Sequence, residues 1–241
     1  KNMISLVVPV MNRSDRVVDC LSTWIDQKEV NEVLIVDWSS TIPIKTDESL
    51  FSITKHEKTK IVRVNDEKSF MSMSYSLNVG VREATQDHIL KCDIDYKLTN
   101  PELLSIFSRE QNKNHLFCGT IPNKWDFHGF AFFRKEDALK IKGYNEKILG
   151  WGWDDEDFYR RMEKIGLERV VIMNIEEFIY HIPHDDALRT ANYPEDQQNK
   201  HKTNRQNELK ALEEDCGWIY SYETLIDEPK YKEIRRIQER K

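Results

Sequence analysis

From Gly150 to Arg161 the sequence reads Gly-Trp-Gly-Trp-Asp-Asp-Glu-Asp-Phe-Tyr-Arg-Arg, with four acids in a row directly behind a turn of alternating glycine and tryptophan. Phe158, Met162 and Ile165 follow at helical spacing, and Gly166 is a natural C′ stop. The acids therefore belong to the first turn of a helix, where the dipole favours each negative charge by roughly 0.3–1 kcal/mol. Adjacent carboxylates also repel one another, which raises the pKa of at least one. An acidic helix start is ordinary on a solvated surface, but the flanking Trp151 and Trp153 are not. Indole rings in a glycine-rich turn make a platform for a flat ligand, and carboxylates beside it suit hydroxyl groups. Proteins commonly hold sugars that way.

Other candidates lie where ligands bind in open α/β sheets, beyond the carboxyl ends of strands. Asn12 and Arg13 follow the first apolar run, Asp37 follows the second, and Asp93-Ile94-Asp95 follows a later one. Asp93 and Asp95 alternate, so both can face one ligand, and such a pair suits a hard divalent cation that also takes phosphate oxygens. The competing reading is a solvated turn. His181 and His184 frame His-Ile-Pro-His; either could complete a metal shell with Asp95, or both could be ordinary surface histidines. A Walker-type loop, a GxGxxG turn, an HExxH helix and a zinc cysteine set are all missing, which argues against the sites those motifs build.

The elements that must position these groups follow from the apolar pattern. Ile4 to Val8, Glu32 to Val36, Lys60 to Val64 and His88 to Cys92 read as strands. Val17, Val18, Leu21, Trp24 and Ile25 form one face of a helix, and Leu77, Val81 and Ala84 belong to another. Asn100-Pro101 caps a third. This alternation predicts a mostly parallel sheet. Beyond it, Gly129 to Phe133 reads as a strand, Glu136 to Ile141 as a short helix closed by Gly143, and Glu168 to Met173 as a strand. His181 to His201 reads as polar loop, Asn204 to Glu214 as a helix, and the charged last dozen residues as a fraying end.

The 241 residues suffice for one large α/β domain or two small ones, and a net charge of −6 argues against general nucleic-acid binding. No apolar run approaches the ~20 residues of a membrane span. The start at Lys1 reads as a trimmed or excised domain, so an anchor could lie outside it. Four widely spaced cysteines without a CxxC pair suit free thiols in a reducing compartment, hence a cytoplasmic location.

Taken together these residues resemble the inverting GT-A glycosyltransferases, closest to family 2 and to the catalytic domain of the β-1,4-galactosyltransferases. Val8-Pro9-Val10-Met11-Asn12-Arg13 looks like the first-strand nucleotide motif, and Val36-Asp37-Trp38-Ser39-Ser40 like the family 2 turn whose Asp holds uridine. Leu77-Asn78-Val79-Gly80 with Asp93-Ile94-Asp95 is similar to the LNVG and DxD pair, and Gly143-Tyr144 with the Gly150 stretch to the acceptor motif. The resemblance runs from residue 4 to about 185. It implies a single GT-A domain built on one mixed, mostly parallel sheet flanked by helices. Residues 1–96 would form a nucleotide-binding half, 97–185 an acceptor and catalytic half, and 186–241 a lid loop and helical tail. It implies a nucleotide-sugar donor, with UDP foremost, a saccharide acceptor, Mn²⁺ or Mg²⁺ as cofactor, and a place in polysaccharide biosynthesis. Asp155 would be the base; Trp151, Asp154 and Gly129 would meet the acceptor. Pro9, Asn12, Arg13, Asp37, Asn78 and Asp93 would hold the nucleotide sugar, and Asp95 and His181, with Asp93, the metal. Trp153 and Asp154 stand where the galactosyltransferases have glycine and glutamate, so their acceptor does not carry over. The alternative is a domain that binds nucleotide sugars without transferring them.

Overall fold

In the computed structural model, which describes residues 3–66, 70–110, 114–120 and 126–238, the first strand β1 (Ile4–Val10) is buried along its whole length. Its side chains alternate between two apolar layers. Leu6, Val8 and Val10 enter one with Trp24 and Phe107; Val7 enters the other with Leu77 and Phe158. A strand buried on both faces must be covered by helices on both sides. The chain supplies them in turn: α1 (Ser14–Ile25), β2 (Val30–Trp38), α2 (Phe51–Thr54), β3 (Thr59–Val64), α3 (Met73–Glu83) and β4 (His88–Lys91). The middle of the chain adds β5 (Tyr96–Leu98), α4 (Glu102–Glu110), β6 (His115–Gly119), β7 (Ala131–Arg134), α5 (Lys135–Lys140), α6 (Asp154–Lys164) and β8 (Glu168–Ile172). The end adds β9 (Ile179–His181), α7 (Asp186–Thr190), α8 (Lys200–Glu213), β10 (Tyr220–Glu228) and β11 (Tyr231–Gln238).

Among the described residues the large sheet runs β10-β11-β3-β2-β1-β4-β7-β6-β8, with β5 and β9 in a small separate pair. It is parallel from β11 through β3, β2 and β1 to β4, and β7 enters antiparallel. The order reverses at β1, whose neighbours are β2 and β4. That reversal opens a crevice beyond the strand ends, where Arg13 and Asp93 to Asp95 sit.

The expected strands and helices are present, most within a few residues of their predicted ends, and three segments differ. The stretch from His181 to His201 is not wholly loop, because Asp185 caps α7 by accepting a hydrogen bond from the Leu188 amide at 2.7 Å. Helix α8 starts at Lys200, one turn early, capped by Asn199. The chain end does not fray as a helical tail: β10 and β11 form a hairpin, and β11 pairs in parallel with β3 from Tyr231 opposite Ile61 to Ile234 opposite Val64. Residues 239–241 lie outside the described residues. All four cysteines are buried and unbridged, and no described helix is long and apolar enough to cross a membrane.

Candidate active site

The crevice at the sheet reversal is a cavity of about 580 Å³, floored by Pro9, Arg13 and Asp93 to Asp95 and walled by the turn from Gly150 to Glu156. That turn is bent by left-handed residues. Gly150 has φ +69°, Gly152 +98° and Trp153 +68°. The bend throws the first turn of α6 into the crevice, and there the four acids separate. Glu156 accepts two hydrogen bonds from Arg169, at 2.9 and 3.1 Å, and lies 3.5 Å from His128. Although burial opposes ionisation, those partners bring its carboxyl down to about 2. Asp157 is buried against Arg161 at 2.8 Å. Asp154 and Asp155 remain for the cavity, and both line it.

These two sit in different surroundings. Asp155 accepts a 2.8 Å hydrogen bond from the ammonium of Lys91, which also lies 3.5 Å from Asp93. Lys91 is only 2% exposed. Burial alone would lower its pKa, but the charges of Asp155 and Asp93 outweigh burial and hold the ammonium well above its ordinary value. Asp154 is pushed up to about 7, first by burial and then by the neighbouring charge of Asp155. Gly129 lies at the centre: a Cβ there would fall 2.8 Å from Asp93 Oδ2 and from Lys91 Nζ, and 3.3 Å from Asp155 Oδ2. The charged groups converge on that point, and a side chain there would have to displace them.

On the other wall, Asp95, His181 and His184 present ligand atoms that all lie within 4.8 Å of one another. Asp95 is 6% exposed, pairs with Arg13 at 2.7 Å and lies 3.3 Å from His184 Nε2. Burial lowers the His181 pKa, which favours the neutral imidazole that binds metals. One carboxylate and two imidazoles fit a divalent cation such as Mn²⁺. This cluster includes both histidines but not Asp93, which lies 3.5 Å from Lys91.

Two residues expected to contact the nucleotide, Asp37 and Asn78, lie outside the lining of the main cavity. Asp37 is fully buried and accepts hydrogen bonds from Arg63 at 2.6 Å and from the Ser40 and Ile44 amides at 3.1 and 3.2 Å. It braces the turn after β2 rather than lining a cavity. Arg63 and Ser40 line a second cavity of about 480 Å³ together with Asn12 and Asn192. Asn78 is also fully buried; it donates to the Tyr144 carbonyl at 2.9 Å and accepts from the Tyr144 amide at 2.6 Å. Its work is to pin the Gly143 turn to α3. The remaining expected residues, Pro9, Arg13, Asp93, Asp95, Gly129, Trp151, Asp154, Asp155 and His181, all line the main cavity.

Sequence reasoning passed over Lys91 and Tyr193, which line the same cavity. A lysine closing the strand His-Ile-Leu-Lys was a usable signal, since lysine is almost never fully buried unless paired. Tyr193 lies in a polar stretch with no periodicity and gave none.

The fold is of the GT-A type. A glycosyl transferase family 2 model matches residues 5–150, and the chain belongs to that family. A second model, described as the N-terminal domain of galactosyltransferase, matches residues 119–185. Among curated proteins, β-1,4-galactosyltransferase 1 of Bos taurus is 27% identical over 108 residues, covering 42% of this chain and 27% of that protein. The xylosylprotein 4-beta-galactosyltransferase of Caenorhabditis elegans is 29% identical over 103 residues, covering 39% of this chain and 36% of that protein. The matched stretch thus spans about a quarter to a third of those relatives. Among solved structures, Drosophila β-1,4-galactosyltransferase 7, in a mutant form complexed with manganese, UDP-Gal and xylobiose, superposes with a TM-score of 0.64 at 15% identity, covering 100% of this chain and 96% of that one. A mannosyltransferase of Pyrobaculum calidifontis complexed with GDP-Man and Mn²⁺ superposes with a TM-score of 0.60 at 16% identity, covering 87% and 61%. Both likenesses establish the fold.

Proposed function

We propose that this chain is a metal-dependent inverting glycosyltransferase that moves a sugar from a nucleotide donor, UDP-linked foremost, to a hydroxyl of a saccharide acceptor. The observation that carries the reading is the pairing, across one cavity, of a lysine-held carboxylate at a glycine-tryptophan turn with an Asp95–His181–His184 set. Asp95, His181 and His184 would hold Mn²⁺ or Mg²⁺. A cation there supplies positive charge that offsets the charge of a departing diphosphate. Arg13 and Pro9 would border the donor phosphates. Arg63, Ser40 and Asn12 would border the nucleoside, with Asp37 acting through Arg63.

Asp155 would accept the proton of the acceptor hydroxyl. As the acceptor oxygen bonds to the anomeric carbon, the bond from that carbon to the diphosphate breaks on the opposite side, so the configuration inverts. The proton ends on Asp155 and the electron pair on the departing diphosphate. Asp154 and Trp151 would orient the acceptor. The manganese and nucleotide-sugar complexes of the structural neighbours support this reading.

The experiment is thermal unfolding with UDP, GDP, CMP and dTDP, each with Mn²⁺ or with EDTA. A ligand at 100 times its dissociation constant adds about 2.7 kcal/mol, a clear rise in melting temperature. We expect a rise with UDP that EDTA abolishes. A metal-dependent rise with another nucleotide alone would change the donor. No rise with any would contradict the reading.

A further inference from the structure

Helix α8 meets the crevice along two neighbouring rows of side chains. Thr203, Asn207 and Ala211, four residues apart, are buried. The Asn207 amide donates to the carbonyls of Leu149 at 2.9 Å, Gly152 at 3.0 Å and Trp151 at 3.4 Å, and its oxygen accepts from the Leu149 amide at 3.3 Å. This row fastens α8 to the tryptophan turn, so whatever α8 carries beside it is held in register with that turn.

The next row is Lys200, Asn204 and Glu208, again four apart and so on one face. Lys200 Nζ lies 4.7 Å from the centre of the Trp151 ring. Asn204 packs so closely on Gly152 that a Cβ there would meet its Oδ1 at 2.3 Å. Asn204 and Glu208 both line the cavity. An amide, which donates and accepts, and a carboxylate, which accepts from paired hydroxyls, thus stand one helical turn apart in the cavity that Trp151, Asp154 and Asp155 also line.

We propose that Asn204 and Glu208 form an outer subsite for a second sugar residue of the acceptor, so that the acceptor is a saccharide of at least two units. The proposal rests on the transferase reading above, with the first unit beside Asp155. Hydroxyls of the outer unit bond to the Asn204 amide and the Glu208 carboxylate. Arg205 pairs with Glu208 on the same helix.

The test is direct binding to immobilised sugars by the protein loaded with UDP and Mn²⁺. Glucose, xylose and N-acetylglucosamine are compared with their β-linked disaccharides. We expect at least one disaccharide to be held roughly tenfold tighter than its monosaccharide, the effect of one or two hydrogen bonds to a charged or amide group. In an Asn204→Ala, Glu208→Gln double variant that ratio should fall towards one. The UDP and Mn²⁺ melting shift reports whether the variant is folded. Disaccharides that gain nothing over monosaccharides, or a ratio that survives the double variant, would overturn the subsite alone. Loss of all sugar binding in the wild type, with the nucleotide shift intact, would overturn the acceptor reading with it.

Discussion

The Lys91 ammonium joins two acids of the cavity, lying 2.8 Å from Asp155 and 3.5 Å from Asp93. Removing one partner of a buried ion pair leaves the other charge unpaired, which costs about 3–5 kcal/mol. Lys91→Met should therefore lose stability of that order in urea unfolding; a loss below about 1 kcal/mol would mean that the pair is not held in solution. Asp154 gives a prediction in pH. Its folded pKa is raised from 3.8 to about 7, so the folded state keeps a proton that the unfolded state releases between those values. Its stabilising contribution is full below about 4 and is lost as pH rises through about 7. Unfolding of wild type and Asp154→Asn compared from pH 4 to 8 should show wild type losing ground steadily. A constant difference would contradict the raised pKa. At this scale most of the site was legible, since Asp155, Asp95, His181 and Trp151 are chemically conspicuous. What was not legible was burial. Asp37 and Asn78 stand in ligand-like motifs but face inwards, and only packing tells a carboxylate that binds from one that braces.

At the scale of elements, the turn before α6 does two things that composition does not reveal. It aims Asp154 and Asp155 inwards while Glu156 and Asp157 face their arginines. It also places Trp153 at φ +68°, a region that costs a non-glycine residue about 1–2 kcal/mol. A non-glycine residue held in that region stores backbone strain. Trp153→Ala and Trp153→Gly both lose the ring, but only the glycine relieves the backbone. The glycine variant should be the more stable by about 1 kcal/mol in thermal unfolding, whereas equal stability would argue against the strained turn. The strands β1, β2 and β4 could be read from the sequence because each holds an apolar run: Leu6 to Val8, Val33 to Val36, and Ile89 with Leu90. Strands β10 and β11 could not: β10 is exposed over most of its length and carries Glu223, Asp227 and Glu228, so it shows no apolar run.

Across the whole molecule, the hairpin of β10 and β11 is tied back to the first part of the chain rather than trailing from it. Glu83 of α3 accepts from Lys232 at 2.8 Å, Tyr222 at 2.7 Å and Lys60 at 3.1 Å. Arg236 pairs with Asp66 at 2.6 Å and stacks over Tyr220, Tyr75 and Trp38. Glu146, buried beside Asn78, accepts from the Ile219 and Tyr220 amides at 2.7 and 2.9 Å. The chain end thus braces the segment at Glu146, which precedes the acidic turn, and Asp66 at the second cavity. Such long-range closure is invisible to local periodicity, which is why the end read as a tail.

In the proposed transfer Asp155 is the base. The most direct test is single-turnover transfer from a panel of UDP-sugars to saccharide acceptors by wild type and Asp155→Asn, with Mn²⁺ present and UDP binding checked in both. Wild type should transfer, and the variant should lose roughly 10²–10⁴-fold while UDP binding persists. An Asp155→Asn protein that transfers at the wild-type rate would contradict that role.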